Sequence, residues 1–290
     1  MGLQQFANSL HQIVTNPHIP TGRGLMRHLQ WQVRKVFNLF PFEQHVSSSR
    51  IVAEHGACSV SALIFNQGLY DYNNMQFLRW LLKDGGAFFD IGANIGSYTL
   101  VASEQEKARV YSFEPHPETF RLLAANLTLN RRENVRAMDI ALGSSEGTIQ
   151  LTDNPGSPIN HRVDGLSVKS IPVPCSRLDR YCREWGVVPQ FVKLDVEGYE
   201  YDVLQGFGDY LKQVEVLLIE MNGLSEERGV DRREIHALLT ASGLRGPWRC
   251  DFGRRTLYRD QGHCREDCLY LSCAYGRMLL ADGWRTEGTT

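Results

Sequence analysis

Phe88-Phe89-Asp90-Ile91-Gly92-Ala93-Asn94-Ile95-Gly96-Ser97-Tyr98 reads as an apolar strand that enters a glycine-bearing turn and then opens a helix. Gly92 permits a tight turn or a close ligand approach, and Gly96 lets the helix start lie near the sheet. Free N–H groups at that helix start are expected to hold a ligand carboxylate. Asp90, at the strand end, is expected to receive an ammonium group. Asn94 belongs to the same turn and joins Asp90, Gly92 and Gly96 as a candidate cofactor-binding residue.

The next strand, Val110-Tyr111-Ser112-Phe113, ends in Glu114-Pro115. An acidic side chain there is suited to accept both hydroxyls of a ribose. Asp139, near the end of the third candidate strand, completes the expected cofactor set. An ammonium site, a carboxylate site and a ribose site in this order suit S-adenosylmethionine. NAD is the main competitor, but its G-x-G-x-x-G fingerprint fails, because position 94 is Asn94 and position 97 is Ser97. Without the middle glycine the backbone stands too far from a pyrophosphate.

Outward from this core, strand candidates Ala87–Ile91, Arg109–Phe113, Val135–Ile140, Gln190–Leu194 and Val214–Ile219 alternate with helical patterns. The helices fit Ser97–Glu104, Pro117–Asn130, Ser176–Trp185, Tyr199–Leu211 and Asp231–Ser242. Alternation of this kind predicts a doubly wound α/β sheet covered on both faces. Thr148–Leu151 and Val168–Val173 break the rhythm and predict a β insertion around 144–174. Ser176-Arg177-Leu178-Asp179 resembles a capping box. Upstream, Phe6–Val14 and Leu25–Leu39 are helical, Ile51–Phe65 reads as small strands, and Leu78–Leu82 as a helix end. The second helix gathers Leu25, Leu29, Val33, Val36 and Phe37 on one face, with Arg27, Arg34 and Lys35 elsewhere. A basic amphipathic helix suits a membrane surface, but packing against its own domain is the expected use. The division is an appendage over 1–75, read as a substrate cap, and a Rossmann-like domain over 76–290.

A net charge of −2 carries no nucleic-acid footprint, and no apolar run reaches the ~18 residues of a membrane span. Polar Gln4, Gln5, Asn8, His11 and Gln12 interrupt any secretory core. Seven cysteines, an odd and scattered set, suggest reduced thiols in the cytoplasm. The expected partner is therefore a small molecule, without nucleic acid and without stable membrane insertion.

Over roughly residues 60–275 the sequence resembles the FkbM-type methyltransferases. The resemblance rests on Asp90–Thr99, Phe113-Glu114-Pro115, and Ala141-Leu142-Gly143 with Gly147. It rests most on Val192-Lys193-Leu194-Asp195-Val196-Glu197-Gly198-Tyr199-Glu200 with Val203-Leu204-Gln205-Gly206. The resemblance implies a class I methyltransferase fold with an antiparallel last strand, for which Leu269–Cys273 is well placed. It also implies S-adenosylmethionine as cofactor and O-methylation of a hydroxyl on a sugar, polyketide or other secondary metabolite.

Asp195, Glu197 and Glu200 follow the fourth core strand, where Asp195 is expected to face the cofactor or acceptor. The run reads as a helix start with one pocket-facing carboxylate, and no metal is expected. A hydroxyl acceptor needs a base. His161, in the turn-rich Asn154–His161 connection, and Asp195 are the catalytic candidates, with His263 a rival. An NAD-linked oxidoreductase and a non-catalytic cofactor-binding module are the alternatives.

Overall fold

The computed structural model describes residues 18–153, 169–260 and 267–288. The Phe6–Val14 pattern, His161 and His263 lie outside them. The chain enters through α1 (Thr21–Val36), the hairpin β1 (Phe42–Val46) and β2 (Ser49–Ala53), then α2 (Ser59–Gln67) and α3 (Tyr72–Leu81). Within Ile51–Phe65 only the first residues are strand. From Ser59 onward the stretch is helical, because Ser61 and Ile64, three apart, bury one face, and the Cys58 sulfur receives the Ser61 N–H. The burial of α1 also differs from expectation. Gly24, His28 and Trp31 face inward, and Trp31 meets the rings of Phe40, Phe42 and Phe65. Leu25, Leu29, Val33, Val36 and Phe37 are exposed. The largest ring decides which face is buried, not the largest number of aliphatic residues.

β3 (Gly86–Ile91), which leads into the glycine turn, sits inside a nine-stranded sheet among the described residues. From it α4 (Ser97–Ser103), β4 (Ala108–Phe113), α5 (Pro117–Leu129) and β5 (Val135–Met138) wind toward one edge. A small three-stranded sheet follows, formed by β6 (Ala141–Leu142), β7 (Gly147–Thr152) and β8 (Ser170–Ser176). The chain then passes α6 (Leu178–Trp185) and returns to the other side of β3 as β9 (Phe191–Leu194). Next come α7 (Glu200–Gly206), β10 (Val216–Glu220), α8 (Leu224–Glu227), α9 (Arg232–Ala241), β11 (Leu244–Asp251) and β12 (Thr256–Arg259). The last elements are β13 (Asp267–Ser272), α10 (Cys273–Ala281) and β14 (Arg285–Glu287).

The spatial order is β14-β12-β11-β13-β10-β9-β3-β4-β5. Strands β5, β4, β3, β9 and β10 are mutually parallel, and β13 enters antiparallel between β10 and β11. The winding reverses between β3 and β9, so a crevice opens there at the carboxyl ends of the strands. Phe191, Val192, Lys193 and Leu194 are all buried, as a central strand covered on both faces requires.

No capping box forms at Ser176. Asp179 instead takes a two-pronged ion pair from Arg177, and the box belongs to Asp231 and Glu234 at α9. Cys58, Cys175 and Cys182 are buried thiols, whereas Cys268 is disulfide-bonded, which corrects the all-reduced expectation. An odd count excludes complete pairing, not a single bond. No helix among the described residues is long and apolar enough to cross a membrane.

One contact sets the width of the crevice. Gly92 has φ 81°, and a Cβ added there would lie 1.8 Å from the Asp195 carbonyl oxygen. The close approach expected of Gly92 is therefore to the neighbouring strand's backbone. Gly92→Ala should destabilise the fold by at least ~2 kcal/mol, since a left-handed non-glycine residue and a backbone clash combine. Urea denaturation measures this, and a change below about 0.5 kcal/mol would show that the two strand ends separate freely.

Candidate active site

The crevice is a cleft of about 320 Å³, lined by residues from both sides of the switch point. β3 brings Asp90 and the Gly92–Asn94 turn, and β4 leads to Glu114. Beyond β9 stand Asp195 and Glu197, β10 ends in Glu220, and the antiparallel β13 begins with Asp267. Parallel strands end together at this edge, while β13 starts there. Carboxylates far apart in sequence therefore converge on one cleft.

The cation among them is Lys193, buried within β9. Its Nζ donates to Asp195 Oδ2 at 2.6 Å and lies 4.9 Å from the centre of the Tyr98 ring. Burial pulls the ammonium toward neutrality, but Asp195, Asp267 and Asp90 outweigh it and raise its pKa above the ordinary range. Asp195 feels the reciprocal effect. Burial pushes it up, yet Lys193 and a hydrogen bond from Glu220 hold it below the usual carboxylate value. Burial and the Asp195 charge drive Glu220 well above its ordinary value, so Glu220 keeps a proton and donates it to Asp195.

Glu197 is pushed up to about 7, first by burial and then by Asp195. Asn222 Nδ2 donates to Glu197 at 2.9 Å and to Glu220 at 3.0 Å, which ties the two strand ends together. Asp195, Glu197 and Glu220 offer oxygens within 4.8 Å of one another, a spacing open to a cation. Lys193 already supplies a positive charge there.

On the other side of the switch point, burial raises Asp90. Its Oδ2 accepts from the Thr99 hydroxyl at 2.6 Å, while Oδ1 is buried without a hydrogen-bond partner. An orphaned carboxylate oxygen facing a cleft suits an incoming ammonium group. Glu114 accepts the N–H of Asn94 and of His116, each at 2.9 Å. Its four lone-pair positions still leave room for ribose hydroxyls.

Other N–H groups of the turn are internally bonded. Ile95 donates to the Asn94 side chain at 2.8 Å and Gly96 to the Ala93 carbonyl at 2.9 Å. Fewer donors therefore face a ligand carboxylate than the turn alone suggests. Gly96 is absent from the cleft lining: with φ 92°, it makes room for Leu123 of α5, 2.5 Å from a would-be Cβ. Asp139 is exposed and does not line the cleft either, because β5 ends at Met138 and Ile140 turns inward.

Lys193, Tyr98, Glu220 and Asp267 line the cleft too, beyond the residues expected from the sequence, and Tyr70 joins them. A lysine inside the apolar run Phe191-Val192-Lys193-Leu194 was the available signal, since a charge in a central strand needs buried partners. Tyr70 shares a hydrogen bond with Ser97 at 3.0 Å, and Tyr98 donates to Asp71. Trp80 stacks on Phe77 and Trp185 on Tyr111.

A doubly wound sheet with the antiparallel β13 inserted, and with acidic residues ending its first two core strands, defines the class I methyltransferases. The family described as Methyltransferase FkbM domain matches residues 90–252. The hexuronic acid methyltransferase AglP of Haloferax volcanii is 31% identical over 176 residues, 58% of this chain and 68% of that protein. Methyltransferase sdnD of Sordaria araneosa is 29% identical over 217 residues, 62% of this chain and 79% of that protein. The SAM dependent methyltransferase from Agrobacterium tumefaciens superposes with a TM-score of 0.41 at 9% identity, over 70% of this chain and 57% of that one. The chain belongs to the FkbM methyltransferase family and is an S-adenosylmethionine-dependent methyltransferase. Membership sets the NAD-linked alternative aside.

Burial pushes Glu114 up to about 7 in the folded chain, against the two backbone N–H groups that favour its charge. A raised folded pKa stabilises the fold at low pH and loses that contribution as pH climbs from the unfolded value toward about 7. Relative to Glu114→Gln, the ligand-free wild type should thus lose ~3 kcal/mol between about pH 4 and pH 8. Parallel stability curves for the two proteins would remove Glu114 from this account.

Proposed function

We propose that this chain methylates a hydroxyl of a sugar or another small polar metabolite, and that the carboxylate group after β9 handles the proton. The observation that carries the reading is the charge of the cleft. Among its described lining residues Asp90, Glu114, Asp195, Glu197, Asp202, Glu220 and Asp267 face one lysine, and an incoming cation favours the ionised form of those that burial holds protonated. Such a cleft favours a cationic donor molecule and opposes a pyrophosphate. The relative AglP bears the name of a hexuronic acid methyltransferase, which supports a sugar-type acceptor.

S-adenosylmethionine supplies a methyl group already activated by its sulfonium, so the protein's work is positioning and water exclusion. Asp90 fits the ammonium end and Glu114 the ribose. Asp195, kept ionised by Lys193, orients the acceptor hydroxyl as a hydrogen-bond acceptor. Glu197, with a value near 7, is tuned to take the hydroxyl proton at neutral pH. His161, on the connection between Asp153 and Lys169, is the second candidate base. No metal is needed, because the Lys193 ammonium already neutralises Asp195 at 2.6 Å.

The test is transfer of a labelled methyl group to fractionated glycans and small metabolites, read by mass spectrometry. Turnover should survive EDTA and rise with pH through about 7. Glu197→Gln should retain donor binding and lose roughly 10²–10⁴-fold in kcat. If His161→Ala shows that loss instead, the base is His161. Near-normal kcat in both variants overturns a base-assisted mechanism, and no labelled product overturns catalysis itself.

A further inference from the structure

α1 presents an apolar face to solvent. Met26 is 58% exposed, Leu29 60% and Val36 78%, with Leu25 and Val33 beside them. At ~100° per residue these five positions fall within one stripe about 100° wide. The stripe lies away from the Gly24, His28 and Trp31 face that anchors the helix. Arg23 and Arg27 lie beyond one edge of it and Lys35 beyond the other, whereas Arg34 turns inward onto the Phe42 ring; Phe37 and Leu39 extend the stripe past the helix end as exposed residues. No aspartate or glutamate occurs before Glu43, although the whole chain carries a net charge of −2.

We propose that this face docks the protein on an anionic lipid surface, with α1 lying in the headgroup layer. Charge selects that occupant. A helix with cations and no acids beside an apolar stripe has the composition of an interfacial helix. Arg23 and Lys35, both exposed, reach phosphate groups while their stems cover hydrocarbon. A second copy fits poorly, because pairing two copies of α1 brings together the like charges of Arg23, Arg27 and Lys35 with no acid on either helix. The helix docks without crossing, as none of the described helices has the length and apolarity to span. α1 packs on α2, whose first residues Ser59 and Val60 line the cleft, so the docked surface lies one helix from the site.

The test is co-sedimentation of the full chain with phosphatidylcholine vesicles, with and without about one third phosphatidylglycerol. Binding is expected only with phosphatidylglycerol and should fall sharply when salt is raised to about 0.5 M. Leu29→Glu should weaken it ~10-fold or more, since one leucine leaves the apolar layer. The double variant Arg23→Gln/Arg27→Gln should weaken it several-fold. Both variants should keep the wild-type melting temperature, because the altered side chains lie on the solvent side. Equal binding to both vesicle types, no binding, or indifference to Leu29→Glu overturns the proposal. So does a dimer in light scattering that Leu29→Glu disperses, which would assign the face to a second copy.

Discussion

The ammonium of Lys193 is the charge around which the site is organised. It lies buried in a central strand, 2.6 Å from Asp195, with Asp90 and Asp267 acting on it as well. A buried lysine alone would lose its proton, and a buried cluster of carboxylates alone would gain several. Together they hold charge where neither would alone. Removal of one partner from such a group costs far more than the pair contributes, because a naked charge remains in a dry place. The strand ends are therefore held by electrostatics as well as by the sheet.

This arrangement separates the roles of similar side chains. Asp195, next to Lys193, stays ionised, while Glu220 carries a proton for it. Glu197 and Glu114 fall near neutrality because burial dominates and Asp195 adds to it, while Lys193 acts on Glu197 too weakly to reverse either effect. One acidic cleft thus contains a fixed charge, a proton donor and a carboxylate that can exchange a proton at neutral pH. Gly92 makes this possible at the backbone level, since its missing Cβ lets the Asp195 carbonyl approach.

The doubly wound core was legible because its parallel strands are buried on both faces and read as apolar runs between helical periods. Asp90, Glu114 and Asp195 were legible for the same reason, as polar residues that end such runs. Glu220 and Asp267 were not. Their place depends on which strands become neighbours, and β13 pairs with β10 across 46 intervening residues (221 to 266). Asp139 stands outside the cleft because the third strand stops at Met138, one step before alternation would turn it inward. The orientation of α1 failed because apolar periodicity locates a stripe without saying whether the stripe meets protein. There the tertiary packing of Trp31 decided the matter.

The most direct measurement is the titration of Lys193 itself, followed by NMR of protein carrying ¹³C at the lysine side chains, with Lys193→Met used for assignment. A lysine held among carboxylates should remain an ammonium well past the ordinary value of about 10.4. Its resonance should then stay constant while surface lysines titrate. A Lys193 signal that moves at or below the ordinary value would mean that burial dominates, that the carboxylates are protonated, and that no charge network organises the cleft.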